Sequence, residues 1–169
     1  MHDDQHGTAI ITAAALLNAL EISEKNIEEV KVVFNGAGAS AISCAKLYLA
    51  LGVKSENLFM CDSKGLIVTS RGELTPEKEL FAKDHKEAQL ADLMKDADVF
   101  VGLSKGGIVS KAMVKSMAPN PIVFALANPD PEITYEDAMD AREDIIMATG
   151  RSDNPVSYTH LRAHETRIH

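Results

Sequence analysis

The chain has 169 residues, 46% of them apolar, enough to enclose one proper core in a soluble α/β domain. Its formal net charge of −8 argues against nucleic acid or an anionic membrane as partner, because no basic stripe exists to neutralise phosphates. Cys44 and Cys61 lack Cys-x-x-Cys spacing and read as two buried reduced thiols of a cytoplasmic protein.

In chain order, the run His2-Asp3-Asp4-Gln5-His6-Gly7-Thr8 comes first. It sets two carboxylates and two imidazoles just ahead of an expected buried helix at 8–21. Adjacent carboxylates repel unless a cation lies between or beside them, so a divalent metal is one physical solution. An exposed N-cap segment is the other. Hard cations prefer oxygen, which ranks the carboxylates above His2 and His6 as ligands. The apolar stretch 9–20 is interrupted by Thr12 and Asn18 and is too short for a membrane span.

Next comes a strand–turn–helix–strand unit. The apolar run Val32-Val33-Phe34 leads into Asn35-Gly36-Ala37-Gly38-Ala39-Ser40-Ala41, then a helix at 39–51 and a strand at 57–61 followed by Asp62. Gly36 permits the tight turn, Gly38 the approach of a pyrophosphate, and small Ala41 close helix–sheet packing. The N–H groups of the helix start, from Ala39 and Ser40 onward, face phosphates. Asp62 follows the turn by about 20 residues, where a carboxylate accepts hydrogen bonds from the adenosine ribose. In this context the segment predicts a dinucleotide site; alone, the same letters describe an ordinary turn.

Further helices are expected at 76–83, 87–95, 110–117 and 135–141. Strands are expected at 30–34, 98–102, 121–125 and 144–148. Thr75 before Pro76, and Thr134 before Tyr135, are N-cap signals. Alternating strands and helices predict a Rossmann-type, doubly wound, mostly parallel sheet with helices on both faces. Two more segments leave expected strands at their carboxyl ends, where ligands of open sheets bind. Gly102-Leu103-Ser104-Lys105-Gly106-Gly107 either offers N–H groups to a cofactor or is a flexible connection. In Phe124-Ala125-Leu126-Ala127-Asn128-Pro129-Asp130-Pro131, Pro129 forces Asn128 out of helical geometry; a plain turn is the alternative.

Together these blocks, with Asp62-Ser63-Lys64-Gly65 and Met147-Ala148-Thr149-Gly150-Arg151-Ser152-Asp153, resemble the malic enzymes of the bacterial type. The resemblance runs over residues 1–154. It implies oxidative decarboxylation of (S)-malate to pyruvate and carbon dioxide, with reduction of NAD(P)+, a required Mn2+ or Mg2+, and a homo-oligomeric intact enzyme. By resemblance, Asp4 is a metal ligand and Asp3 belongs to the catalytic proton-transfer network. Asn128 contacts the nicotinamide ribose and the substrate region, residues Gly36 to Ala41 hold the pyrophosphate, and Asp62 holds the ribose. A lysine in the following helix marks NADP use in the family, and the matching residue is Lys78.

Asp62 by itself favours NAD, since a carboxylate repels a 2′-phosphate; Ser63, Lys64 and Lys78 weigh toward NADP. Lys78 stands in a helix first turn, where the dipole disfavours a cation and an external phosphate would compensate. A solvated lysine flanked by Glu77 and Glu79 is the alternative. NADP is therefore the expected cofactor, ahead of NAD.

The resemblance also implies that the family's substrate domain, with its catalytic tyrosine and lysine and a Glu-Asp ligand pair, has no counterpart here. The 169 residues alone are thus expected to bind cofactor without turnover. Residues 155–169 break the strand–helix alternation and read as a non-native or disordered tail, with His160, His164 and His169 as a less favoured metal site. A stand-alone nucleotide-binding or regulatory module is the competing function. An amino-acid dehydrogenase shares the architecture but leaves Asp3-Asp4 unexplained.

Overall fold

A computed structural model describes residues 3–72, 74–127 and 130–149, with side chains from Gly7 onward. Six strands form one sheet in the order β3-β2-β1-β4-β5-β6. They are β1 (Val32–Asn35), β2 (Leu58–Asp62), β3 (Gly65–Leu66), β4 (Val99–Gly102), β5 (Ile122–Ala125) and β6 (Ile146–Thr149). All neighbouring pairs are parallel except β2 and β3. The doubly wound α/β expectation therefore holds. β3 is an addition: with Asp62 opposite Gly65, the chain turns back on itself at once. Two residues are too few for any side-chain period to be read from sequence.

Both sheet faces are covered. Val32, Phe34, Val99, Val101, Ile122, Phe124 and Ile146 point to one side, into a core shared with α1 (Asp3–Ser23) and α2 (Ala39–Leu51). Val33, Phe100, Val123, Ala125 and Met147 point to the other, beneath α4 (Leu90–Met94), α5 (Lys111–Lys115) and α6 (Tyr135–Ala141). Burial on both faces is why these strands are continuous apolar runs with no alternation. Tyr48 of α2 meets the Phe34 ring at 5.4 Å between centroids, and its hydroxyl donates to the Thr12 carbonyl across 3.5 Å.

α1 corrects two expectations. It starts at Asp3, so the His-Asp-Asp run enters the helix instead of preceding it. Nor is α1 buried all round: Ala9, Ala13, Leu16 and Leu20 face the core while Ile10, Ile11 and Leu17 are exposed. The side chains of Asp3 and Asp4 lie outside the described residues, as do all of Asn128 and the 155–169 tail.

α2 and α6 match their expected limits, α1 is longer than expected, and α3, α4 and α5 are shorter. α3 (Pro76–Glu79) is a single turn whose cap is the one anticipated, the Thr75 side chain accepting from the Lys78 N–H at 3.2 Å. Thr134 likewise accepts from the Asp137 N–H. Cys44 and Cys61 are free and buried. Burial pushes their thiols up to about 11 and about 12 respectively, leaving both protonated and inert at neutral pH. Among the described residues no helix is long and apolar enough to cross a membrane.

Candidate dinucleotide-binding site

β1 and β4 are neighbours whose connections leave in opposite directions, so a crevice opens at their carboxyl ends, the switch point of a doubly wound sheet. The glycine turn occupies it. Gly36 has φ +121°, and a Cβ there would press at 3.3 Å on the backbone of Leu103. Both the turn and the fit to the β4 exit therefore require glycine. Gly38 differs: a Cβ there would meet nothing within 4 Å. Open space beside an exposed backbone is what an approaching pyrophosphate needs.

The Ile42 N–H closes the first turn of α2 on the Gly38 carbonyl at 3.0 Å. The N–H groups of Ala39, Ser40 and Ala41 therefore have no intrahelical acceptor. No side chain caps this end and no acid stands in the first turn, so its positive end is left to an external anion. Ala41 is 1% exposed, and its small side chain brings α2 close to the sheet.

Asp62 emerges beside this turn, because Cys61 pairs with Asn35 and its carbonyl accepts the Gly36 N–H at 2.8 Å. Here the structure changes the reading. The Asp62 carboxylate is gripped by the Arg71 guanidinium in a two-pronged pair of 2.6 and 2.8 Å, by Lys78 Nζ at 3.1 Å and by the Lys64 N–H at 2.9 Å. Arg71 is anchored further by the carbonyls of Gly65 and Leu66, both at 3.0 Å. Burial would raise the Asp62 carboxyl, but Arg71, the Lys64 N–H and Lys78 outweigh it and hold the group well below the usual carboxylate range.

Lys78 is thus not a free surface cation: it shares the single Asp62 carboxylate with Arg71, so the three groups together keep a net positive charge. A cavity of about 520 Å³ opens here, lined by Asp62, Ser63, Lys64, Arg71, Lys78 and Glu87 among others. Three cations face two carboxylates there, a local positive excess in a chain of net charge −8.

The folded Asp62 binds a proton less readily than it would unfolded, where the pKa is about 3.9. Its contribution to stability is therefore complete above that value and is lost as pH falls toward the depressed folded value. Urea midpoints measured from pH 6 down to pH 3 should fall less steeply for Asp62→Asn than for the parent; equal slopes would refute this.

Arg71 was missed by sequence reasoning, as was Glu132. Arg71 sits in a Ser-Arg-Gly segment that reads as a turn. The only hint was that an acid at a strand end needs a counter-charge. Glu132 is fully buried, accepting the Ala127 N–H at 3.1 Å and the Ser104 N–H at 3.4 Å. Burial raises its carboxyl, and these backbone donors pull it back. The 102–107 segment is accordingly tied down, and three of its donors are turned inward: Leu103 N–H to the Asn35 carbonyl, Ser104 N–H to Glu132, Gly107 N–H to the Pro131 carbonyl.

Among the described residues no group of three or more His, Cys, Asp or Glu side chains could hold a metal ion. The Asp4 side chain is not among those described.

The sheet order, the glycine turn at the switch point and the uncapped α2 define a nucleotide-binding domain of Rossmann type. The family described as "Malic enzyme, NAD binding domain" matches residues 5–166, and the chain belongs to it. The chain is 54% identical over 154 residues to an NADP-dependent malic enzyme of Halomonas elongata, and 48% identical over 155 residues to an NAD-dependent malic enzyme of Rhizobium meliloti. In both cases 91% of the chain is covered, but only 36% and 20% of those relatives. The crystal structure of an NAD-dependent malic enzyme from Thermotoga maritima superposes with a TM-score of 0.84 at 40% identity, over 99% of this chain and 47% of that one.

Proposed function

We propose that this chain forms the cofactor-binding part of a malic enzyme that converts (S)-malate to pyruvate and carbon dioxide, with NADP+ preferred over NAD+. The reaction class rests on the family match. The cofactor preference rests on one observation, the Arg71–Asp62–Lys78 cluster in a positively charged cavity beside the glycine turn.

In this reading the N–H groups of Ala39, Ser40 and Ala41 hold the pyrophosphate, and Gly36 and Gly38 give it room. Asp62 and Ser63 face the adenosine ribose. Because Arg71 and Lys78 neutralise Asp62, the carboxylate that would repel a 2′-phosphate is screened, and the same two cations are in place to receive it. Asn128 meets the nicotinamide ribose on the carboxyl side of β5, Asp3 serves proton transfer, and Asp4 contributes an oxygen ligand to Mn2+ or Mg2+. These three roles are supported by the resemblance of the motifs that carry them. Bound there, the nicotinamide would supply a hydride acceptor and the cation a Lewis acid for the decarboxylation.

Calorimetric titration of the chain with both cofactors tests the preference. NADP+ should bind more tightly. Lys78→Gln should narrow the gap by about 1 kcal/mol, roughly fivefold in Kd, because Lys78 is partly exposed and its charge partly screened. Equal affinities in the parent, unchanged by the substitution, would leave NAD+ as the natural ligand.

A further inference from the structure

Glu132 is a carboxyl group in a place where an apolar side chain would fill space at less cost. It is 0% exposed, and a buried acid is tolerated only where its oxygens are satisfied. Its two oxygens serve two different loops. Oε1 accepts the N–H of Ala127, the residue before Asn128, and Oε2 accepts the N–H of Ser104, in the loop leaving β4. Around it the two loops are tied again, by the Gly107 N–H to the Pro131 carbonyl at 3.1 Å and the Val109 N–H to the Glu132 carbonyl at 3.1 Å.

The glycines of the β4 exit make room for this arrangement. A Cβ at Gly102 would overlap the Glu132 carboxyl group itself, and one at Gly106 would come within 2.6 Å of the Asp130 carbonyl. The tied loops border a cavity of about 530 Å³ at the carboxyl ends of β5 and β6, lined by Gly106, Asp130, Glu132 and Thr149 among others. Thr149 Oγ1 is buried there with no hydrogen-bond partner among the described residues. This edge lies on the far side of β1 from Asp62, Arg71 and Lys78, which stand at the end of β2.

We infer that Glu132 is a positioning residue for the nicotinamide half of the site, its buried carboxyl clamping the β4 exit loop to Ala127 at the exit of β5. The inference rests on the dinucleotide reading above. Removing the carboxyl frees the Ala127 and Ser104 N–H groups and leaves only the Gly107–Pro131 and Val109–Glu132 backbone bonds to tie this region, so the exits of β4 and β5 lose their direct link, while the adenosine end, held by its own ion pairs, is untouched. Glutamine keeps the shape and one acceptor oxygen but turns an N–H2 toward the second donor, so it preserves part of the clamp.

The test compares NADP+ with 2′,5′-ADP, which carries only the adenosine half, by calorimetry on the 169-residue chain, with thermal melting alongside. Glu132→Ala should weaken NADP+ about tenfold and 2′,5′-ADP less than about twofold, the loss expected for one or two buried hydrogen bonds on the nicotinamide side alone. Glu132→Gln should fall between Ala and the parent for NADP+ and leave 2′,5′-ADP unchanged. Parallel weakening of both ligands, or unchanged NADP+ binding in a folded Glu132→Ala, would overturn the inference by reducing Glu132 to a structural residue. If Glu132→Ala does not melt cooperatively, Glu132→Gln decides alone, and equal shifts for the two ligands overturn the clamp. A parent that binds 2′,5′-ADP as tightly as NADP+ also overturns it, since no nicotinamide contact then exists to lose. A parent that binds neither refutes the dinucleotide reading itself.

Discussion

Arg71→Ala is expected to weaken NADP+ binding more than any other single substitution in the chain, by about 2–3 kcal/mol or roughly 30- to 150-fold in Kd, as for a charge-assisted two-pronged contact. Three effects combine. The guanidinium that would meet the 2′-phosphate is gone, the Asp62 carboxylate loses the partner that holds it at 2.6 and 2.8 Å, and that carboxylate then repels the incoming phosphate. Lys78 at 3.1 Å is left to neutralise Asp62 alone. NAD+ carries no 2′-phosphate and should lose far less, so the preference should collapse or invert. Arg71→Lys should not rescue it, because a lysine cannot bridge both carboxylate oxygens and the carbonyls of Gly65 and Leu66 at once. Titration of both cofactors against each variant decides the matter. If NADP+ and NAD+ weaken equally, Arg71 merely orders the β2–β3 turn.

The second large effect concerns the strand that delivers the glycine turn. Phe34 is 0% exposed and packs against the Tyr48 ring. Phe34→Ala should cost about 3–5 kcal/mol, the transfer of a ring plus the cavity left behind. Out of a domain's usual total of about 5–15 kcal/mol, that leaves the fold marginal. Phe34→Leu should cost only about 1–1.5 kcal/mol, since a bulky apolar side chain still fills most of the space. Urea unfolding measures both from the shift in midpoint at constant slope. A loss under about 1 kcal/mol for the alanine variant would contradict the packing. Because Asn35 and Gly36 continue directly from Phe34, dinucleotide affinity should fall in step with the folded fraction and no further.

What the sequence determined by itself was everything governed by near neighbours along the chain. Val32-Val33-Phe34 has to be a buried strand, Gly36 has to turn, Thr75 and Thr134 have to cap, and alternating strands and helices have to wind into a parallel sheet; each follows from local sterics, hydrogen bonding or periodicity. Asp62 and the glycine turn stood out as candidates by residue type and spacing, and Lys78 only through the resemblance to the family. The tertiary structure alone decided which charges meet. That Arg71 grips Asp62 depends on the two-residue β3 turning the chain back on β2. That Glu132 lies against Gly102 depends on two loops converging thirty residues apart in sequence. Neither pairing leaves a local mark, because a charged residue in a turn looks alike whether it faces water or a partner brought to it by the fold.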